Sequence, residues 1–135
     1  MEPLPTLIYR VISGDDWEQS KASDVVPRCG ADERDGFIHL STRETIIETA
    51  NLYFEAAEQP VVLEVDVAEL GSALKWEPVE SRGGSIFPHL YTAGITMASI
   101  RAVPVLEHTA QRFSIGERFS LRSANCLTLF LFISV

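Results

Sequence analysis

Two histidines about fifty positions apart are the residues of this sequence best suited to chemistry. His39 stands in Gly36-Phe37-Ile38-His39-Leu40-Ser41-Thr42, and His89 in Phe87-Pro88-His89-Leu90-Tyr91. Each imidazole has hydroxyls or aromatic rings as close sequence neighbours. An imidazole near neutral pH can act as acid, base, hydrogen-bond donor or metal ligand. The chain has 3 histidines in all, so two in such settings point to a built pocket.

Four chemistries compete for these residues. The first is a metal site made of His39, His89 and a carboxylate such as Glu64, although no HxH or HExxH spacing supports a metal. The second is hydrolysis by Ser41 or Thr42 with His39, for which no nucleophile elbow is present. The third is a phosphate or nucleotide pocket. There, backbone amides opening a helix after Ser41 would bind an anion, with His39 and Tyr9 or Tyr91 alongside. In the fourth, both histidines are structural and satisfy buried backbone groups.

The elements that would position these residues follow from periodicity. Leu7-Ile8-Tyr9-Arg10-Val11-Ile12 reads as a strand. Ser13 followed by Asp16 is a helix-start pattern, which places a short helix from about Asp15 to Ser23. Pro27 to Gly36 reads as a polar loop. Gly36 to Ser41 is a strand with Phe37, His39 and Ser41 on one face and Ile38 and Leu40 on the other; the apolar pair faces the core, which turns His39 and Ser41 toward a cleft. Ser41 and Glu44 form a capping pair for the next helix, with apolar positions at Ile46, Ile47, Ala50, Tyr53, Phe54 and Ala57. Val61 to Val67 is a strand with Val61, Leu63, Val65 and Val67 on one face. Glu64 and Asp66 lie on its other face, as a solvent-facing edge or a carboxylate pair. Leu74 to Val79 is a further strand, and Glu80 to Ser85, with Gly83-Gly84, a flexible loop. The residue before Pro88 is held extended, which stiffens the backbone entering His89. Ile100 to Leu106 is a late strand.

Composition sets the outer bounds. A chain of 135 residues, 46% hydrophobic and 22% charged, is that of an ordinary globular protein. A net charge of -8 argues against general nucleic-acid binding, which needs clustered basic groups. A local basic pocket remains open, since Arg10, Arg28, Arg34, Arg43, Arg82 and Arg101 outnumber the lysines. Cys29 and Cys126 form no disulfide framework and suit a reducing cytoplasm. The start Met1-Glu2-Pro3-Leu4-Pro5 lacks the basic and apolar regions of a signal peptide. The apolar run Cys126 to Val135 is too short, at about ten residues, to span a bilayer, so no membrane association is expected. Its alternating Leu127, Leu129, Leu131, Ile133 and Val135 would pack on the domain or on a second copy, making a homodimer. The expected organisation is one domain over residues 1–113 and a C-terminal apolar extension over 114–135.

The order Ile8-Tyr9-Arg10, Trp17, Gly36 to Thr42, Leu63-Glu64-Val65-Asp66, Lys75-Trp76-Glu77 and Phe87 to Tyr91 resembles the bacterial domain-of-unknown-function family 952. The resemblance runs from about Leu7 to about Leu106 and implies a fold similar to that of ADP-ribosyltransferases, a group that includes RNA 2′-phosphotransferases. It implies a cleft for NAD, as a substrate, or for another ADP-ribose-containing ligand. In such folds a histidine or arginine on an early strand holds a ribose, a role for Tyr9-Arg10 or His39. A hydroxyl-rich strand-to-helix turn shapes the nicotinamide pocket, a role for Ser41-Thr42. A later glutamate helps form an oxocarbenium-like transition state; Glu64 and Glu77 are the candidates, and neither lies in a Glu-x-Glu pattern.

The sequence therefore leads to a single α+β domain, a twisted and mostly antiparallel sheet with two helices, ADP-ribosylation-like in its resemblance. Its expected role is to bind a small nucleotide-like ligand in a cleft lined by Tyr9, Arg10, His39, Ser41, Thr42, His89 and Tyr91. If it is an enzyme, ADP-ribosyl or phosphotransfer chemistry is expected, with His39 and His89 acting on the ligand and Glu77 or Glu64 supplying negative charge. The other class is a non-catalytic interaction domain with structural histidines. A cleft requires the two histidines to be close and partly exposed; the interaction reading requires both to be buried.

Overall fold

The computed structural model describes residues 4–109 and 112–115. The strand-forming run at Leu7–Ile12 is β1, and it pairs antiparallel with Val61–Asp66. The full chain order is β1 (Leu7–Ile12), α1 (Gly14–Ser23), β2 (Val25–Pro27), α2 (Gly30–Asp35), β3 (Ile38–His39), α3 (Ile46–Tyr53), β4 (Val61–Asp66), β5 (Leu74–Val79), β6 (Ser85–Leu90), β7 (Gly94–Thr96), β8 (Ile100–Ala102), β9 (Leu106–Thr109) and β10 (Arg112–Ile115). Short 3-10 turns connect several of them. The class is α+β and the ladders are antiparallel, with α2 added to the two helices expected. Apart from Ser114 and Ile115, the C-terminal extension and its proposed pairing lie outside the described residues.

Two three-stranded sheets dominate, one ordered β1-β4-β8 and the other β3-β6-β5. They meet at a single antiparallel bridge between Tyr9 and Ser41. Its two hydrogen bonds run from Tyr9 N to Ser41 O (2.8 Å) and from Ser41 N to Tyr9 O (2.7 Å). Among the described residues no further ladder joins the sheets, and a cleft opens between them. The β2-β7 and β9-β10 pairs complete the strands.

The core lies on both faces of β1 and β4. Ile8, Ile12, Leu63 and Val65 pack with Val26, Ile38, Leu40, Leu90 and Ile95. Tyr9, Val11 and Val62 pack on the other face with Ile46 and Ala50 of α3 and Phe113 of β10. Each fully buried aliphatic side chain contributes roughly 1.5–3 kcal/mol by leaving water. The second layer corrects the expected solvent face of Val61 to Val67. Val62 is buried, and Glu64 and Asp66 are each engaged by neighbours rather than free.

Local chemistry explains where sequence expectations hold and where they change. Ser13 caps α1 as expected, accepting from Asp16 N at 3.1 Å. The stretch expected as a polar loop folds into β2 and α2. The carboxylate of Asp32 turns back to accept the Cys29 amide at 2.9 Å, and Gly36 closes the helix at φ 85°, a left-handed conformation suited to glycine. The Ser41–Glu44 cap does not form. Thr42 opens a 3-10 turn instead, paired with Thr45, and α3 follows at Ile46. The late strand is interrupted around Pro104, which has no N–H to donate: β8 ends at Ala102 and β9 begins at Leu106.

Candidate functional site

The strand at Gly36 to Ser41 turns its faces as its alternation requires. Ile38 and Leu40 are buried in the core, while Phe37, His39 and Ser41 line the cleft. His39 of β3 stands directly across from His89 of β6. Their ring centroids are 5.9 Å apart and nearly edge-on. Phe37 stacks on His89 at 3.9 Å and lies tilted beside His39 at 4.7 Å. The cleft holds about 650 Å³, within the size range of small-molecule sites. Its walls come from β1, the start of α1, α2, β3, α3 and the β5–β6 hairpin.

One wall is organised by a buried carboxylate. Asp32 is wholly buried and pairs with the guanidinium of Arg10, itself 4% exposed (Nη2 to Oδ2, 2.5 Å; Nη1 to Oδ1, 3.3 Å). Asp32 also accepts from the amide of His39 (3.0 Å) and meets its Nδ1 at 2.7 Å. Arg10 donates further to His39 O at 2.9 Å. Burial pushes the Asp32 carboxyl up. The hydrogen bond from the His39 ring, the Arg10 charge and the Cys29 and His39 amides outweigh it and hold Asp32 well below the usual carboxylate range. The other ring nitrogen, Nε2, meets Asp35 at 2.8 Å. Arg34, and then His39, lower the Asp35 carboxyl to about 2. Both nitrogens of His39 are therefore occupied by carboxylates. Among the described residues, Arg10 Nε is buried with no hydrogen-bond partner.

His89 is arranged differently. Its Nδ1 meets Glu77 Oε1 at 2.7 Å, and Tyr91 donates its hydroxyl to the same oxygen at 2.7 Å. The Tyr91 hydroxyl, and then the His89 ring, hold Glu77 below the usual carboxylate range. The same bond to Glu77 pushes the Tyr91 phenol up. A carboxylate only accepts, so the proton of the Glu77 contact sits on Nδ1 of His89. In the neutral form of the ring, Nε2 then carries the lone pair. Among the described residues it has no partner, on a side chain only 6% exposed. An imidazole with one nitrogen fixed and the other unpartnered can give or take a proton, and His89 is among the residues that line the cleft.

The sequence-derived residues separate into two groups. His39, His89, Arg10 and Ser41 line the cleft, and Glu77 and Tyr91 attach to it through His89. Tyr9 and Glu64 pair with each other at 3.1 Å outside that wall. Burial, then the Glu64 charge, raises the Tyr9 phenol to about 12. Thr42 is spent on Thr45 and does not reach the wall. Ser41 meets Thr49 at 3.1 Å and not His39, so no base activates it. Neither imidazole satisfies a backbone group, since both bind carboxylates. Among the described residues, no three His, Cys, Asp or Glu side chains are placed to hold a metal ion.

Sequence reasoning did not find Asp32, Asp35, Thr49, Tyr53 or Arg82 in the wall. Asp32 is three positions after Cys29, the spacing of a capping residue, and that was its one available signal. Arg82 is one of the arginines noted for anion recognition, but nothing local placed it in the cleft. Among the described residues no helix is long and apolar enough to cross a membrane.

Comparison with known proteins places this arrangement. The family described as "Protein of unknown function (DUF952)" matches residues 11–103. The crystal structure of protein CC0527 from Caulobacter crescentus is 37% identical, with a TM-score of 0.71 over 79% of this chain and 91% of that chain. The solution NMR structure of the same protein is 37% identical, with a TM-score of 0.68 over 81% and 91%. No curated protein matches the chain.

Proposed function

The chain belongs to the DUF952 family, and from that premise we propose that its cleft binds a small nucleotide-like ligand of the NAD or ADP-ribose type. The observation that carries this reading is the unpartnered Nε2 of His89, fixed by Glu77 at the wall of a cleft of about 650 Å³. A rigid, nearly buried side chain with one nitrogen left free is built for contact with a ligand. The family resemblance implies an ADP-ribosyltransferase-like architecture, and that analogy supplies the ligand class.

Within this reading the roles divide by geometry. Arg10 and Asp32 fix the position of His39, which shapes the wall. His89 acts on the ligand, taking a proton from a bound hydroxyl or water. Glu77 orients His89 and places negative charge behind it, which would favour the oxocarbenium-like transition state of an ADP-ribosyl transfer. Glu64 is given no role in this reading, because it pairs with Tyr9 outside the cleft wall.

The test is an amide NMR titration with NAD and ADP-ribose on the wild type, His39→Ala and His89→Ala. Shifts clustered on Phe37, His39, Ser41 and His89 are expected in the wild type and lost in both variants. No shifts at millimolar ligand would reject the nucleotide reading.

A further inference from the structure

Arg82 is, like Arg10 and His89, a group on the wall that is nearly buried yet incompletely satisfied. Its side chain is 8% exposed. Nη2 donates to Glu48 (2.5 Å) and Thr49 (3.3 Å), both from α3. Among the described residues Nε and Nη1 have no partner, and neither is sealed from solvent. Arg82 is one of the side chains that line the cleft. The guanidinium lies over Phe87 at 4.4 Å and beside Tyr53 at 5.8 Å. Phe87 and His89 stand two positions apart on one face of β6, so the ring under the Arg82 guanidinium and the His89 imidazole belong to the same side of that strand.

The hairpin is shaped to deliver this side chain. The 3-10 turn Glu80–Arg82 ends in Gly83 (φ 71°) and Gly84 (φ 81°), whose amides return to Glu80 O and Val79 O. Two successive left-handed residues turn the chain sharply and need glycine to do so without strain. Glu48 and Thr49 then hold the guanidinium so that little further order is lost on binding. A fixed, always-charged donor with free N–H groups suits an oxyanion, and phosphoryl oxygens above all. Among the acids of the wall, Asp32 is paired with Arg10 and Asp35 with Arg34, while Asp16 and Glu58 also line it.

We propose that Arg82 forms a phosphoryl subsite of the cleft, placing an anionic phosphate of the ligand beside Phe87 with an adjoining hydroxyl at His89. This rests on the nucleotide-ligand reading and deepens it. The ligand is a phosphorylated hydroxyl compound, with its anionic end at the β5–β6 hairpin.

The test follows the Arg82 Nε–H resonance of the wild type during titration with pyrophosphate, inorganic phosphate, ADP-ribose and adenosine. Arg82→Gln and the distant Arg101→Gln are titrated in parallel. The phosphorylated probes are expected to move the Arg82 resonance and adenosine is not. Arg82→Gln should weaken pyrophosphate and ADP-ribose by roughly tenfold or more, the scale of a lost charge-assisted hydrogen bond, and Arg101→Gln should not. ADP-ribose shifting the cleft amides while the Arg82 resonance stays fixed overturns the subsite and leaves the broader reading standing. Pyrophosphate binding at Arg82 without any ADP-ribose binding supports the subsite and rejects the broader reading. An equal loss in both variants identifies general charge attraction and overturns the subsite. If Arg82→Gln does not fold, the wild-type resonance decides alone.

Discussion

Replacing Asp32 by Asn keeps the shape of the side chain and removes its charge. Five donors converge on the two oxygens: Arg10 Nη1 and Nη2, the amides of Cys29 and His39, and His39 Nδ1. A carboxamide offers one oxygen and an NH2 group that can only donate, so some of those donors meet another donor. Arg10, 4% exposed, also loses its counter-ion. Breaking a buried ion pair from one side costs about 3–5 kcal/mol, because the surviving charge stays buried without compensation. Against a domain stability of about 5–15 kcal/mol this is a large fraction. For a urea m-value of about 1.5 kcal/mol per M, the unfolding midpoint should fall by about 2–3 M. Trp17 and Trp76, partly buried against the core, give a fluorescence signal for the transition. Adding Arg10→Met to Asp32→Asn should restore part of the loss, since the stranded charge is then gone. A loss below about 1 kcal/mol, the scale of an exposed pair, would refute the burial and pairing described for Asp32.

Three further outcomes follow from the same geometry. Asp32 and Asp35 both have folded pKa values held below their unfolded ones, Asp35 at about 2. The stability they contribute is full above the unfolded carboxylate value near pH 3.9 and is lost as pH falls through the folded values. Wild-type unfolding free energy should therefore decline from about pH 4 downward, with a shallower decline in Asp32→Asn; a flat wild-type profile from pH 5 to 2.5 contradicts this. Long-range 15N NMR of His89 should show the proton on Nδ1 in the wild type. Glu77→Ala should remove that preference and let the Tyr91 phenol titrate nearer its usual value, read by ultraviolet absorbance; unchanged spectra would exclude the Glu77 contacts. In β7, a Cβ on Gly94 would come within 2.8 Å of Val26 O and 2.9 Å of a Val25 methyl. Gly94→Ala should thus separate β2 from β7 and cost about 1–3 kcal/mol, as overpacking does. A melting temperature equal to the wild type would show that the pair relaxes freely.

The sequence by itself determined the local frame of this protein. Alternation in Gly36 to Ser41 was enough to turn Ile38 and Leu40 inward and Phe37, His39 and Ser41 outward, because side chains of an extended strand must alternate. Ser13 with Asp16, and the β-branched runs at Leu7–Ile12 and Val61–Asp66, located α1, β1 and β4 by equally local rules. The paired histidine motifs were legible for the same reason, as were the α+β class and its antiparallel ladders. Tertiary structure decided how these pieces serve a site. Only the β3–β6 register sets His39 opposite His89, and only the fold brings Asp32, seven positions before His39 in the chain, under both that ring and Arg10. Tyr9 and Glu64 carried the right residue types yet face each other across β1 and β4, outside the cleft, because the second core layer covers that side. Arg82 enters the site through a glycine turn and contacts with α3, more than thirty positions away in sequence. Periodicity fixes which way a side chain points from its own strand. Which distant group it meets depends on strand order and register, and those are settled by burial and pairing over the whole chain.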